Sequence, residues 1–242
     1  QSRASATGQF VLLVMLAGAV LGSLVLVLGP LASFDRAGVR VPGAPAYALY
    51  FSCLGLGFMF LEVPLIQRFV LFLGYPTRAF SVTLAGLLVF AGIGSLASTR
   101  LAARGGAAVL GLAAVLIAMT AAYVQALPIV FAAFLEAGDA TRIAVTLVLL
   151  APLGLVLGAF FPLGVRCLPD ARFVPWAWGI NGVTSVVGSV LAIVLGITYG
   201  FTVVMTLALG LYGVGAVTLA AVVGLGPRRA AEASSTTTVP IG

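Results

Sequence analysis

The sequence predicts an all-α polytopic bundle of about seven transmembrane helices. Three observations carry this. Apolar residues make up 62 % of the 242-residue chain. Charged residues make up only 7 %, against about 25 % in a soluble domain. Uncharged apolar stretches of about 20 residues, the length that crosses a bilayer core of about 30 Å, recur from end to end. A soluble fold is excluded, because so few charges cannot cover a globular surface. A disordered chain is excluded by a mean hydropathy of +1.24, since disorder needs low hydrophobicity and high net charge.

The chain starts on Gln1, which leaves open a processed start or a start inside a longer polypeptide. Residues 1–9 form a polar N-terminal segment, and residues 10–225 form one transmembrane domain. The first span is Phe10–Leu28, too long for a signal-peptide core, and Gly29-Pro30 reads as its end. A loop with Asp35, Arg36 and Arg40 leads to the second span, Tyr47–Ile66, which opens on Tyr47, Tyr50 and Phe51 as an interfacial aromatic belt. Arg68–Arg78 reads as a partly apolar connector. The third span is Ala79–Ser98 and the fourth Ala107–Leu127. Pro128–Asp139 is apolar but too short to cross, so it reads as interfacial or re-entrant. The fifth span is Ile143–Leu163, the sixth is Trp176–Ile197 with Trp176 and Trp178 as anchors, and the seventh is Phe201–Leu225. Residues 226–242, rich in Ser and Thr beyond Arg228 and Arg229, read as a disordered tail.

Several chemistries are missing. The chain has no His and no Lys, and its two cysteines stand alone. It therefore has no imidazole for metal, haem or acid–base work, no Schiff-base lysine and no zinc set. No catalytic residue, metal or cofactor is expected, and the chain reads as a non-enzyme. The net charge of +6 comes from arginines scattered singly in short loops, without a basic face, so nucleic acid is not the expected partner. Membrane lipid is. With seven spans, Arg3, Arg68, Arg78 and Arg142 fall on one side of the membrane. Arg36, Arg40, Arg100, Arg104, Arg166, Arg172, Arg228 and Arg229 fall on the other, which favours a cytoplasmic C-terminus. Cys53 and Cys167 share that second side and are expected as free thiols there.

An internal echo links two segments. Pro64-Leu65-Ile66-Gln67-Arg68 and Pro162-Leu163-Gly164-Val165-Arg166 both read P-L-x-x-R, and Gly94-Ser95 recurs as Gly188-Ser189. If real, it pairs spans two to four with spans five to seven, a 3+3 inverted repeat with one extra N-terminal helix. The alternative is chance likeness between spans rich in Gly, Leu and Val.

The blocks LGLGFMFLEVPLIQR at Leu54–Arg68, FLGYPT and GIGSLAS within Phe69–Ser98, FPLGVR at Phe161–Arg166, and PWAWGINGVTSVVGSVLA at Pro175–Ala192 resemble the membrane module of bacterial spermidine-synthase-like membrane proteins. The resemblance covers most of Tyr47–Gly200. It implies a multi-span region, distantly major-facilitator-like, that accompanies a soluble aminopropyltransferase-like domain in a bacterial inner membrane. This chain carries no such α/β domain, so no catalytic residue transfers to it.

Glu62 is the sharpest single residue. A carboxylate within a span costs a few kcal/mol and is rarely idle. It reads either as a protonatable or cation-binding site or, structurally, as an ion-pair partner of Arg68, Arg100 or Arg166 or a cap on broken backbone near Pro64. Arg68 and Arg166 read as gates, ion-pair partners or interfacial charges. Asn181 reads as a binding residue or as interhelical glue. Gly18 and Gly22, Gly154 and Gly158, and Gly182 with Ser185 and Ser189 read as helix-packing faces. Three functions follow. The first is a non-catalytic module that anchors or scaffolds other membrane subunits or a soluble aminopropyltransferase-like domain. The second is a half-transporter for a small cation such as a polyamine, acting as a dimer. The third, an enzyme, ranks last.

Overall fold

A computed structural model describes the backbone of residues 14–34 and 36–236, and side chains over 14–27, 29–33 and 37–224. The architecture is all-α, a bundle with seven helices long and apolar enough to cross a membrane. We label these α1, Val14–Ser33; α2, Ala44–Leu73; α3, Pro76–Ser95; α4, Gly106–Phe134; α5, Asp139–Arg166; α6, Val174–Tyr199; and α7, Phe201–Thr236. The predicted N-terminal segment 1–9 and the start of the first span lie outside the described residues.

Seven spans were expected and seven are found, but their ends differ, mostly at proline. The first helix does not stop at Gly29-Pro30. A π-helical turn at Leu24–Leu28 lets the Gly29 N–H donate to the carbonyl of Leu24, five residues back. That widened turn carries the helix past Pro30 to Ser33. Helix α2 runs through Pro64 and takes in most of the expected connector, because Phe69, Phe72 and Leu73 are all buried. At about 1.5 Å per residue it is about 45 Å long. The piece expected to be re-entrant after Leu127 is instead the last part of α4, which continues through Pro128. The reason is packing: Phe131 stacks on Phe72 at 4.5 Å and lies 5.5 Å from Phe69. Helix α7 extends to Thr236, where a disordered tail from 226 was expected. The added turns include Arg228-Arg229-Ala230-Ala231-Glu232-Ala233, all strong helix formers.

Helix α2 is the hub. It is the most buried of the seven spans, packed against α3, α5, α6 and α7, with a partly exposed face that includes Leu49 and Leu71. The densest interfaces are α3 on α5 and α2 on α6, followed by α2 on α7 and α4 on α7. Exchanging α2 with α5, α3 with α6 and α4 with α7 maps α3·α5 onto α2·α6, α4·α7 onto itself, and α2·α7 onto the much lighter α4·α5 contact. The two Gly-Ser pairs of the sequence echo fall on matching interfaces. Gly94 of α3 abuts the backbone of Leu155 on α5, and Gly188 of α6 abuts Leu56 and Met59 on α2. The exchange is incomplete: α6 packs on α7, while α3 and α4 make little contact. Helix α2 also packs on α3, while α5 and α6 make little contact.

Helix α1 stands apart. From Leu24 on, its main contact within the bundle is with α6, and Ser23 is the one buried residue among its described side chains. At the opposite end from its exit, the loops are pinned by charge. Arg78 pairs with Asp139 at 2.6 Å, and Arg142 donates to the carbonyls of Ala137 (2.9 Å) and Phe72 (3.4 Å). In the loop before α6, Asp170 accepts hydrogen bonds from the side chain and backbone of Arg172, which hold its carboxyl below the usual range.

Candidate functional site

Glu62 sits on the buried hub helix with 5 % of its surface exposed. Its Oε1 makes no hydrogen bond, and among the described residues no ion pair includes it. Two of the three expected arginine partners, Arg68 and Arg166, are engaged elsewhere. Arg68 donates to the Thr202 hydroxyl of α7 at 2.9 Å. Arg166, at the other end of the bundle, donates to the Ser98 hydroxyl at 3.3 Å. Neither arginine pairs with Glu62, so among the described residues it is an acid without an ion-pair partner. Thr83 of α3 and Thr120 of α4 are buried hydroxyls whose oxygens likewise lack a partner.

Asn181 and Ser185 join α6 to the hub. The Asn181 amide donates to the Phe51 carbonyl at 3.2 Å, and the Ser185 hydroxyl to the Gly55 carbonyl at 3.4 Å. Gly55 is what permits this approach, since a Cβ there would collide with Thr184 and Asn181. The other members of the expected α6 face behave differently. Gly182 has nothing within 4 Å of where a Cβ would stand, and Ser189 donates to Val186 of its own helix at 2.8 Å. The real face is displaced by the helical period onto Thr184, Ser185 and Gly188. Gly154 and Gly158 do meet a neighbour closely: Phe90 and the Ala91 backbone of α3. Gly18 and Gly22 meet nothing within 4 Å, because α1 lies outside the core.

The aromatic residues expected at the interface at the start of α2 are buried instead, whereas Trp178 of α6 is exposed. Tyr47, Tyr50 and Phe51 are buried. The Tyr50 hydroxyl donates to the Phe160 carbonyl at 2.7 Å, the Tyr47 hydroxyl to Cys167 at 3.1 Å, and the Tyr123 hydroxyl of α4 to Leu149. Two of these acceptors, Phe160 and Leu149, lie two and three residues before Pro162 and Pro152, where a proline disturbs the helix ladder and neighbouring side chains can satisfy its carbonyls. Cys53 and Cys167 are free thiols, and burial pushes the Cys167 thiol up.

A cavity of about 340 Å³ lies between the α3·α5 pair and the α2·α6 pair. Leu54 and Phe58 line it just short of the middle of α2, facing Leu88 of α3, Leu157 of α5 and Trp178 of α6. Its polar lining is limited to Asn181, Ser185 and Tyr212, and Glu62 is not among its walls. Sequence reasoning missed Tyr212 altogether, since a lone Tyr inside an apolar span carries no spacing signal. No protein-family model, curated protein or solved structure matches this chain.

Proposed function

We propose that the protein is a non-catalytic integral-membrane module that anchors or scaffolds a partner, with α1 as the docking element. The observation that carries this is the uncovered state of α1. Leu21, Val25 and Leu26 are each more than three-fifths exposed, and the Gly18/Gly22 pair is open to a backbone at close range. The resemblance to spermidine-synthase-like membrane proteins supports an aminopropyltransferase-like domain, or another membrane subunit, as the partner. The arginine asymmetry supports a bacterial cytoplasmic membrane with the C-terminus inside. Native mass spectrometry of the protein from its own membranes tests the reading. The wild type travels with a second polypeptide, and Gly18→Leu/Gly22→Leu loses it without a change in thermal stability. A chain that runs alone in both forms overturns it.

One observation favours a second reading, the half-transporter: a buried carboxylate with no partner, in a bundle whose helix pairs exchange between two halves. Glu62→Gln then abolishes cation flux in proteoliposomes while assembly persists. The apolar cavity argues against a polycation, which needs several acids along its path.

A further inference from the structure

We infer that the cavity between α3 and α6 is a binding site for a long-chain alcohol that enters sideways from the bilayer. The inference stands on the cavity alone and does not depend on α1. A volume of about 340 Å³ is about twice that of an apolar cavity that stays dry and takes up benzene, and falls in the range of ligand pockets. Its mouth faces the lipid. Helices α3 and α6 make no substantial contact with each other, and the lining residues Leu88 and Trp178, one on each, are 58 % and 63 % exposed. No charged side chain lines it, so nothing there would hold a phosphate or a cation. The ligand is therefore neutral and mostly hydrocarbon.

Its polar group follows from what the walls leave unused. Ser185 has spent its one hydroxyl proton, and Asn181 one of its two amide N–H groups, on α2 carbonyls. The Asn181 carbonyl oxygen accepts no hydrogen bond from the described residues. Tyr212 is 2 % exposed, packed on Phe160 at 4.8 Å, and its hydroxyl has no partner among the described residues. A donor–acceptor hydroxyl and an amide with an unused oxygen thus belong to residues that line one apolar space. A ligand hydroxyl can donate to Asn181 and accept from Tyr212, whereas a plain alkane leaves both unsatisfied within the membrane, at a cost.

The test uses bromine quenching of Trp178 in the full chain carrying Trp176→Phe, reconstituted in vesicles. 10-Bromodecan-1-ol should give a saturable component of quenching above the linear background from bromine dissolved in the bilayer. Tyr212→Phe, which removes an unpartnered hydroxyl and should leave the melting temperature unchanged, should weaken that component about tenfold, about 1.4 kcal/mol. 1-Bromodecane should match the Tyr212→Phe level in either background. Purely linear quenching overturns the site, and equal saturation by alcohol and alkane, or indifference to Tyr212→Phe, overturns the hydroxyl as the group recognised.

Discussion

Glu62 and Tyr50 lie twelve residues apart on the same buried helix, and they call for opposite expectations. The Tyr50 hydroxyl is paired with Phe160, so Tyr50→Phe removes a buried hydrogen bond and should lower stability by about 0.6–1.7 kcal/mol, read as a shift in unfolding in mixed detergent. Glu62 has no partner to lose. Glu62→Leu should therefore raise the melting temperature, because it exchanges a buried, unpartnered acid for an apolar group of similar size. A fall would mean that the carboxylate holds something the bundle needs. The burial of Glu62 was legible in the sequence, since a lone acid inside a span stands out. Its lack of an arginine was not legible, because the direction of Arg68 and Arg166 depends on Thr202 and Ser98, which sit on other elements. The tyrosines misled for a related reason. Near a span's start, Tyr47 and Tyr50 look the same whether they face a headgroup or a carbonyl of α5.

Helix interfaces give a sharper contrast between glycines. At Gly158 any side chain meets the Ala91 backbone, which cannot rotate away. Gly158→Leu should part α3 from α5 and cost about 3 kcal/mol or more. Gly182→Leu meets open space and should change stability by no more than about 0.5 kcal/mol. Thermal denaturation of the two variants side by side checks both. The existence and order of the spans were legible, because hydropathy over twenty residues is a strong signal. Their ends were not. Pro30, Pro64 and Pro128 each look like a terminus, yet each lies within a helix. In the membrane a helix survives proline when a π turn, a packed neighbour or a nearby hydroxyl compensates, and those compensations come from elsewhere in the fold. The α6 face was misplaced by a few residues for the same reason: small side chains at spacings of three and four mark a face without saying which side the partner takes.

Taken whole, the molecule is a six-helix core with a seventh helix leaning on α6. Deleting residues 1–33 should therefore leave the core folded, with a melting temperature within a few degrees of the full chain; a collapse of the transition would place α1 inside the cooperative unit. The partial exchange of helix pairs was only faintly legible, as one motif and one Gly-Ser pair, because such an exchange constrains which backbones approach, not which side chains do so. The cavity and its lateral mouth left no trace in the letters, since they arise where α3 and α6 fail to meet. The hub position of α2 bears on how the protein is made. It is the second span to be synthesised, and α5, α6 and α7, which bury much of it, come later in the chain. During translation a helix bearing Glu62 must wait in the membrane with its flanks unclaimed. Chains stalled before α5 should for that reason be the form that membrane proteases clear fastest, whereas chains released after α7 should persist.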